Sequence, residues 1–227
     1  MKALIGLYLF GSAARGDSDS ASDLDILAVY DEQPEIVQRK SVLNLVCAQL
    51  GGRITLAEYS SKRLQTMFDE GHLFAWHLYQ EAKPLQIPGL ISQQSSSFSS
   101  PAPYKADVDD ACRFAGLLFS IASEAQCESC SLVHEAGLAY LALRNIAMSL
   151  SIKLQKKADF SRNSPLNISA SLAIYPPCSV TDFEVLVAAR HASQRGLLPP
   201  TIDRSNFREV INNSLEWTYT VLEKANE

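Results

Sequence analysis

The sequence predicts two domains in tandem: a small α/β domain built on a mixed sheet with helices, followed by an all-α helical bundle. Three observations predict this. Apolar runs at Leu4–Phe10, Asp23–Tyr30 and Arg53–Tyr59 have strand length and are bounded by turn or polar residues. Residues 92–103 are a Ser/Gln/Pro-rich stretch with too little apolar surface to order itself, and read as a linker or a loosely pinned loop. From Tyr104 onward the apolar residues recur with the helical period. The expected divisions are 1–91, 92–103 and 104–227.

The whole chain bounds the function classes. Its 227 residues give ample core for such a pair of domains, and 47% hydrophobic with 20% charged residues is an ordinary globular balance. Acidic residues outnumber basic ones, 25 to 20, for a net charge of −5, which disfavours a grip on long nucleic acid through many phosphates. Five cysteines, an odd number without secretory features, suggest reduced thiols and a cytoplasmic protein. Cys127 and Cys130 have metal-pair spacing, but no second pair completes a site, so they read as two thiols at a helix end. The apolar start runs straight into a Gly-Ser loop without a small-residue cleavage site, unlike a signal peptide. No apolar run has membrane-spanning length, so no membrane partner is expected.

The first strand, Leu4–Phe10, stops at Gly11-Ser12, and Ala13-Ala14-Arg15 makes a short turn. Glycine permits a tight turn and close approach of a ligand, and the backbone N–H groups and hydroxyl exposed there suit phosphate oxygens. After a stretch rich in Ser and Asp comes the second strand, Asp23-Leu24-Asp25 running on to Tyr30. Alternation puts Asp23 and Asp25 on one face, with Leu24 and Ile26 on the other. Paired carboxylates repel unless a cation sits between them, and hard oxygen ligands suit Mg²⁺ that recruits substrate phosphates.

Gly11-Ser12, ten intervening residues and Asp23-x-Asp25 resemble the signature of the polymerase-beta-type nucleotidyltransferase superfamily, above all its minimal members. The resemblance implies that the first domain is an α/β nucleotidyltransferase domain. It also implies that Asp23 and Asp25 are the catalytic, metal-holding pair and that Gly11 and Ser12 bind the nucleotide. Arg15 matches the family's Arg-Gly pair and joins the nucleotide-binding set. The implied reaction is Mg²⁺-dependent transfer of a nucleoside monophosphate, AMP from ATP, to a hydroxyl on a protein, an RNA or a small molecule. Family members commonly carry a helix before the first strand; here the sequence starts almost at the strand.

The following elements support this motif. Asp31-Glu32-Gln33-Pro34 starts a helix with an interrupted apolar stripe from Ile36 to Leu50, ended by Gly51-Gly52. In the third strand, Ile54 and Leu56 face the core and Arg53, Thr55 and Ala57 face the other way. Active relatives place a third acid there as the base for the attacking hydroxyl, and the register gives that place to Thr55. A threonine hydroxyl cannot take that proton at neutral pH. Glu58 has the parity of the buried residues. Two further helices are expected, Lys62–Glu70 and His72–Gln80; Lys62 and Arg63 read as a solvated first turn, and His72 and His77, five apart, as packing or surface residues.

Four helices make the bundle: Asp107–Ala125, Ser131–Leu154, Ser179–Arg195 and Ser205–Asn226. Within the second, Arg144-Asn145 followed by Ser149 resembles the Arg-polar-x-x-x-His motif of HEPN-type domains, with serine in the histidine's place. The motif is either a relic without RNase activity or an Arg-Asn pair hydrogen-bonded within the bundle. HEPN-like bundles often pair, so the resemblance leaves room for a homodimer. Two basic clusters, Lys153/Lys156/Lys157/Arg162 and Arg190/His191/Arg195/Arg204, read as solvated faces or as a hold on an acidic acceptor. Two rival readings follow from Thr55 and the bundle. One is a catalytically impaired, nucleotide-binding regulatory or antitoxin-like partner of toxin-antitoxin type. The other is a helical domain acting as an RNA-binding module.

Overall fold

A computed structural model of the chain describes residues 4–19, 22–88, 90 and 97–227, which divide into two compact units, Met1–Lys105 and Ala106–Glu227. The first is a four-stranded mixed sheet with helices. Strands β1 (Leu4–Phe10), β2 (Leu24–Tyr30), β3 (Ile54–Ser60) and β4 (Lys83–Pro84) lie in the order β3-β2-β1-β4. β1 pairs antiparallel with β2 and β4, whereas β2 and β3 are parallel, joined by helix α2 (Ile36–Leu50). The five residues Gly11–Arg15 form a short helix, α1, where the sequence reads only a turn.

β2 is buried on both sides, so its continuous apolar run serves two half-cores. Ile26, Ala28 and Tyr30 meet Val42 and Val46 of α2, with Ile54 and Leu56 of β3 alongside. Leu27 and Val29 face helices α3 (Ser61–Asp69) and α4 (Leu73–Glu81), which contribute Leu64, Met67, Phe68, Ala75 and Leu78. Parity along β2 and β3 puts Asp25 and Thr55 on the α3–α4 face and Glu58 on the α2 face. There Glu58 accepts from the Tyr30 hydroxyl at 3.3 Å and pairs with Arg39 of α2 at 3.3 Å. Burial, then the Glu58 charge, holds the Tyr30 hydroxyl well above its ordinary pKa. The apolar stripe expected on α2 is narrower in the structure: Val42 and Val46 are buried, while Ile36 and Val37 at its first turn are exposed. α3 begins with a cap, the Ser60 hydroxyl accepting from the Arg63 N–H at 3.2 Å.

Of the stretch expected to be a linker, residues 92–96 lie outside the described residues. Residues 97–103 pack on the first unit. Phe98 meets the rings of Tyr8 and Phe68 at 4.5 and 5.2 Å, and the Ala102 carbonyl accepts from the Trp76 indole N–H at 3.1 Å. Gly71 allows this approach, because a Cβ there would lie 2.4 Å from the Pro103 carbonyl oxygen.

The second unit contains the four expected helices with shifted ends, α5 (Asp107–Glu124), α6 (Leu132–Gln155), α8 (Val180–Arg195) and α9 (Arg204–Asn226). A fifth, α7 (Ser164–Leu172, SPLNISASL), has no counterpart among the expected helices. Proline fits the first turn of a helix, and Ser169 is spent inside, donating to the Pro165 carbonyl and accepting from the Trp217 indole at 2.7 Å each. α6 is the central helix, its Ala139, Leu143, Ile146, Ala147 and Leu150 all without solvent exposure. Arg144 donates to the Phe160 and Ser161 carbonyls, Asn145 donates back to the Leu141 carbonyl at 2.7 Å, and Ser149 is buried. Cys127 and Cys130 are free thiols, and Arg204 donates to the Cys127 carbonyl and the Cys130 sulfur. Among the described residues, no helix is long and apolar enough to cross a membrane.

Candidate functional site

The end of β1 delivers the chain into α1 against the start of β2, where Phe10 is the register partner of Asp25. Gly11 is buried and has φ of +71°; a Cβ on it would lie 2.3 Å from Asp25 Oδ2 and 3.3 Å from the Asp25 Cβ. Only glycine therefore lets the loop backbone rest on that carboxylate. After one turn Gly16, at φ of +85°, closes the loop: its N–H donates to the Ser12 carbonyl at 2.9 Å, and the Asp17 N–H reaches the same oxygen at 3.1 Å. Gly11→Ala is expected to lower stability by roughly 1–2 kcal/mol from the left-handed backbone alone and to push the Asp25 carboxylate out of place. Chemical denaturation paired with nucleotide titration would check it, both losses being expected together.

Asp23 lies just ahead of β2 and Asp25 within it, and both flank Thr55 of β3. Thr55 is the register partner of Asp25, and its hydroxyl donates to Asp23 Oδ2 at 3.4 Å. Arg53, at the approach to β3, pairs with Asp23 Oδ1 at 2.7 Å, and its carbonyl accepts from the Leu24 N–H at 2.8 Å. One face thus gathers Asp23, Asp25, Arg53 and Thr55, as the alternation of side chains predicts, with Gly11 resting on it.

These residues fit Mg²⁺ as a substrate-assisted site. Two hard carboxylates are the donor type the ion takes, and among the described residues no group of three or more His, Cys, Asp or Glu forms an all-protein cage. Phosphate oxygens and waters would complete the shell.

Arg15, at the end of α1, is differently engaged. Its Nε donates to Asp17 at 3.1 Å and its Nη1 to Glu81 Oε2 at 2.8 Å. These acids raise its pKa, although burial, the largest single influence, works the other way. His77 Nε2 lies 2.8 Å from the same Glu81 oxygen, and the Lys83 ammonium donates to the Ala14 carbonyl. Sequence reasoning did not single out Glu81, Lys83 or the role of Arg53. His77 and Glu81 share a helix face at i, i+4, a local signal that gave no hint of a partner in α1.

Comparison with known proteins bears on this same segment. Residues 2–77 match the family model described as Nucleotidyltransferase domain, which takes in β1 to β3 and stops short of Glu81 and of the whole helical unit. No curated protein matches the chain. Solved structures similar to it include spectinomycin adenyltransferase AAD(9) from Enterococcus faecialis with ATP and spectinomycin. That likeness has 12% identity and a TM-score of 0.48, covering 96% of this chain and 92% of that one.

Proposed function

We propose that the chain transfers a nucleoside monophosphate, AMP from ATP, to a hydroxyl acceptor with the help of Mg²⁺. One observation carries this reading: the Gly11 backbone rests on the Asp25 carboxylate, with Asp23 two residues away, inside the segment matched by the Nucleotidyltransferase domain. Asp23 and Asp25 would hold the metal, and Gly11 and Ser12 would seat the phosphates, Arg15 completing that loop. When bound, Mg²⁺ would neutralise phosphate charge and favour departure of pyrophosphate. In the reaction the acceptor oxygen bonds to the α-phosphorus and the bond from that phosphorus to the bridging oxygen breaks. The acceptor's proton must also leave, and Thr55 offers no carboxylate to take it.

That gap favours a second reading, a protein that binds the nucleotide and acts on a partner without transferring anything. Both readings require binding. Thermal unfolding with each nucleoside triphosphate, with and without Mg²⁺, tests it. At about 100 times its Kd a ligand raises stability by about 2.7 kcal/mol. A Mg²⁺-dependent rise with ATP is expected, and no rise with any nucleotide would overturn both readings.

A further inference from the structure

Glu81 closes α4 with only 8% of its side chain exposed, so its charge needs partners. It has two on one oxygen: Arg15 Nη1 and His77 Nε2, each at 2.8 Å from Oε2. The imidazole is itself held, since Phe10 and Phe74 meet it edge to face, at interplanar angles of 85° and 87°. Phe10 is also the residue immediately before α1. From β4, paired with β1 beside Leu9, Lys83 donates to the Ala14 carbonyl in the same turn. The short helix that begins at Gly11 is thus fastened at its backbone by Lys83 and at its last side chain by Glu81.

This arrangement assigns work to Arg15. Its Nε and Nη1 are engaged by Asp17 and Glu81, and a guanidinium paired with two carboxylates offers a triphosphate less charge than an unpaired one. The ion pair is also local compensation: an uncompensated carboxylate at Glu81 would repel a polyphosphate nearby.

We infer that Glu81 is a positioning residue of the phosphate loop, acting through Arg15, and that Arg15 locks the turn rather than gripping the phosphates. The inference rests on the nucleotide-binding reading above. Glu81 lies beyond the segment that the family match covers, which ends at residue 77, whereas Arg15 lies within it.

The two roles of Arg15 predict opposite signs. If Arg15 is a lock, Glu81→Gln loosens the turn and weakens ATP binding in Mg²⁺ by about tenfold, the order of one charge-assisted hydrogen bond. If Arg15 is a phosphate ligand, Glu81→Gln releases it, and ATP binds as well or better. Arg15→Lys keeps a cation able to meet phosphate but loses the fork, so it should weaken binding as Glu81→Gln does. Because lock and anchor act as a unit, the double variant should bind no more weakly than either single one.

Calorimetric titration of the full chain and the three variants with ATP and Mg²⁺ gives all these values. Unchanged or tighter binding by Glu81→Gln, full affinity in Arg15→Lys, or additive losses in the double variant would each overturn the inference. If Glu81→Gln does not fold, Glu81→Asp, which keeps the charge but shortens its reach to Arg15, takes its place: weaker ATP binding is expected, and unchanged or tighter binding would overturn the inference. Failure of the unaltered chain to bind ATP would overturn the nucleotide reading itself, an outcome distinct from the other three.

Discussion

Asp25→Asn is expected to abolish the Mg²⁺-dependent part of ATP binding while leaving the fold intact. The substitution is nearly isosteric, so the amide side chain would still fill the space under Gly11 and keep its place between Phe10 and Thr55 in the sheet. What it removes is charge. Without that carboxylate Mg²⁺ would lose one of the two protein ligands proposed for it, and affinity for ATP in Mg²⁺ should fall by about a hundredfold or more, two powers of ten or about 2.8 kcal/mol. In the absence of Mg²⁺ the sign reverses, because an anion that repelled the triphosphate is gone, and ATP should bind no worse than to the unaltered chain. Titrations with and without Mg²⁺ check both signs. Undiminished Mg²⁺-dependent binding would mean that the metal, and with it the site, lies elsewhere.

Thr55→Glu is expected to act in the opposite direction, as a gain. Thr55 is exposed, beside Asp25 in register and in contact with Asp23, so a longer side chain meets no core there. A carboxylate at that position faces the same acidic pair, and repulsion raises its pKa toward the value useful for a base. A positioned base contributes about 10²–10⁴ in rate. Release of pyrophosphate from ATP, with water or a simple polyol as acceptor, should therefore rise by about a hundredfold in Thr55→Glu. A rise would place the deficit of the natural chain at the proton transfer and support binding without efficient transfer as its ordinary state. Equal rates in the two proteins would mean that another group already takes the proton, or that no transfer occurs at this site. Arg53 bears on the outcome, since its pairing with Asp23 puts a cation next to the new carboxylate. Thr55→Glu with Arg53→Ala is the control that separates the two.

Much of the first unit was legible because its signals are local. Apolar runs of strand length, separated by turn residues and one helical stretch, became β1, β2 and β3. The period of two was enough to place Thr55 with the aspartates and Glu58 on the opposite face. It did not reveal that both faces are cores, since a buried strand reads the same whichever side its helices cover. α1 and β4 escaped because elements of five and two residues carry too few positions for a period. α7 escaped because polar residues on it find partners far along the chain or in the preceding loop, Ser169 with Trp217 and Asn167 with Asp159. Arg144 and Asn145 make hydrogen bonds within the helical unit and Ser149 lies inside its core, placements that helical spacing alone does not give.

By itself the sequence determined the strands and helices of usable length, the Gly-Ser loop ahead of an Asp-x-Asp pair, and the threonine on their face. These depend on dihedral preference and side-chain period, which are properties of a few consecutive residues. Tertiary structure alone decided that Arg15 meets Glu81 sixty-six positions away, that Arg53 pairs with Asp23, and that residues 97–103 pack on the sheet unit. Those choices depend on strand order, register and how the helices close over the sheet. Such contacts form between segments whose separation along the chain carries no information about their distance in space.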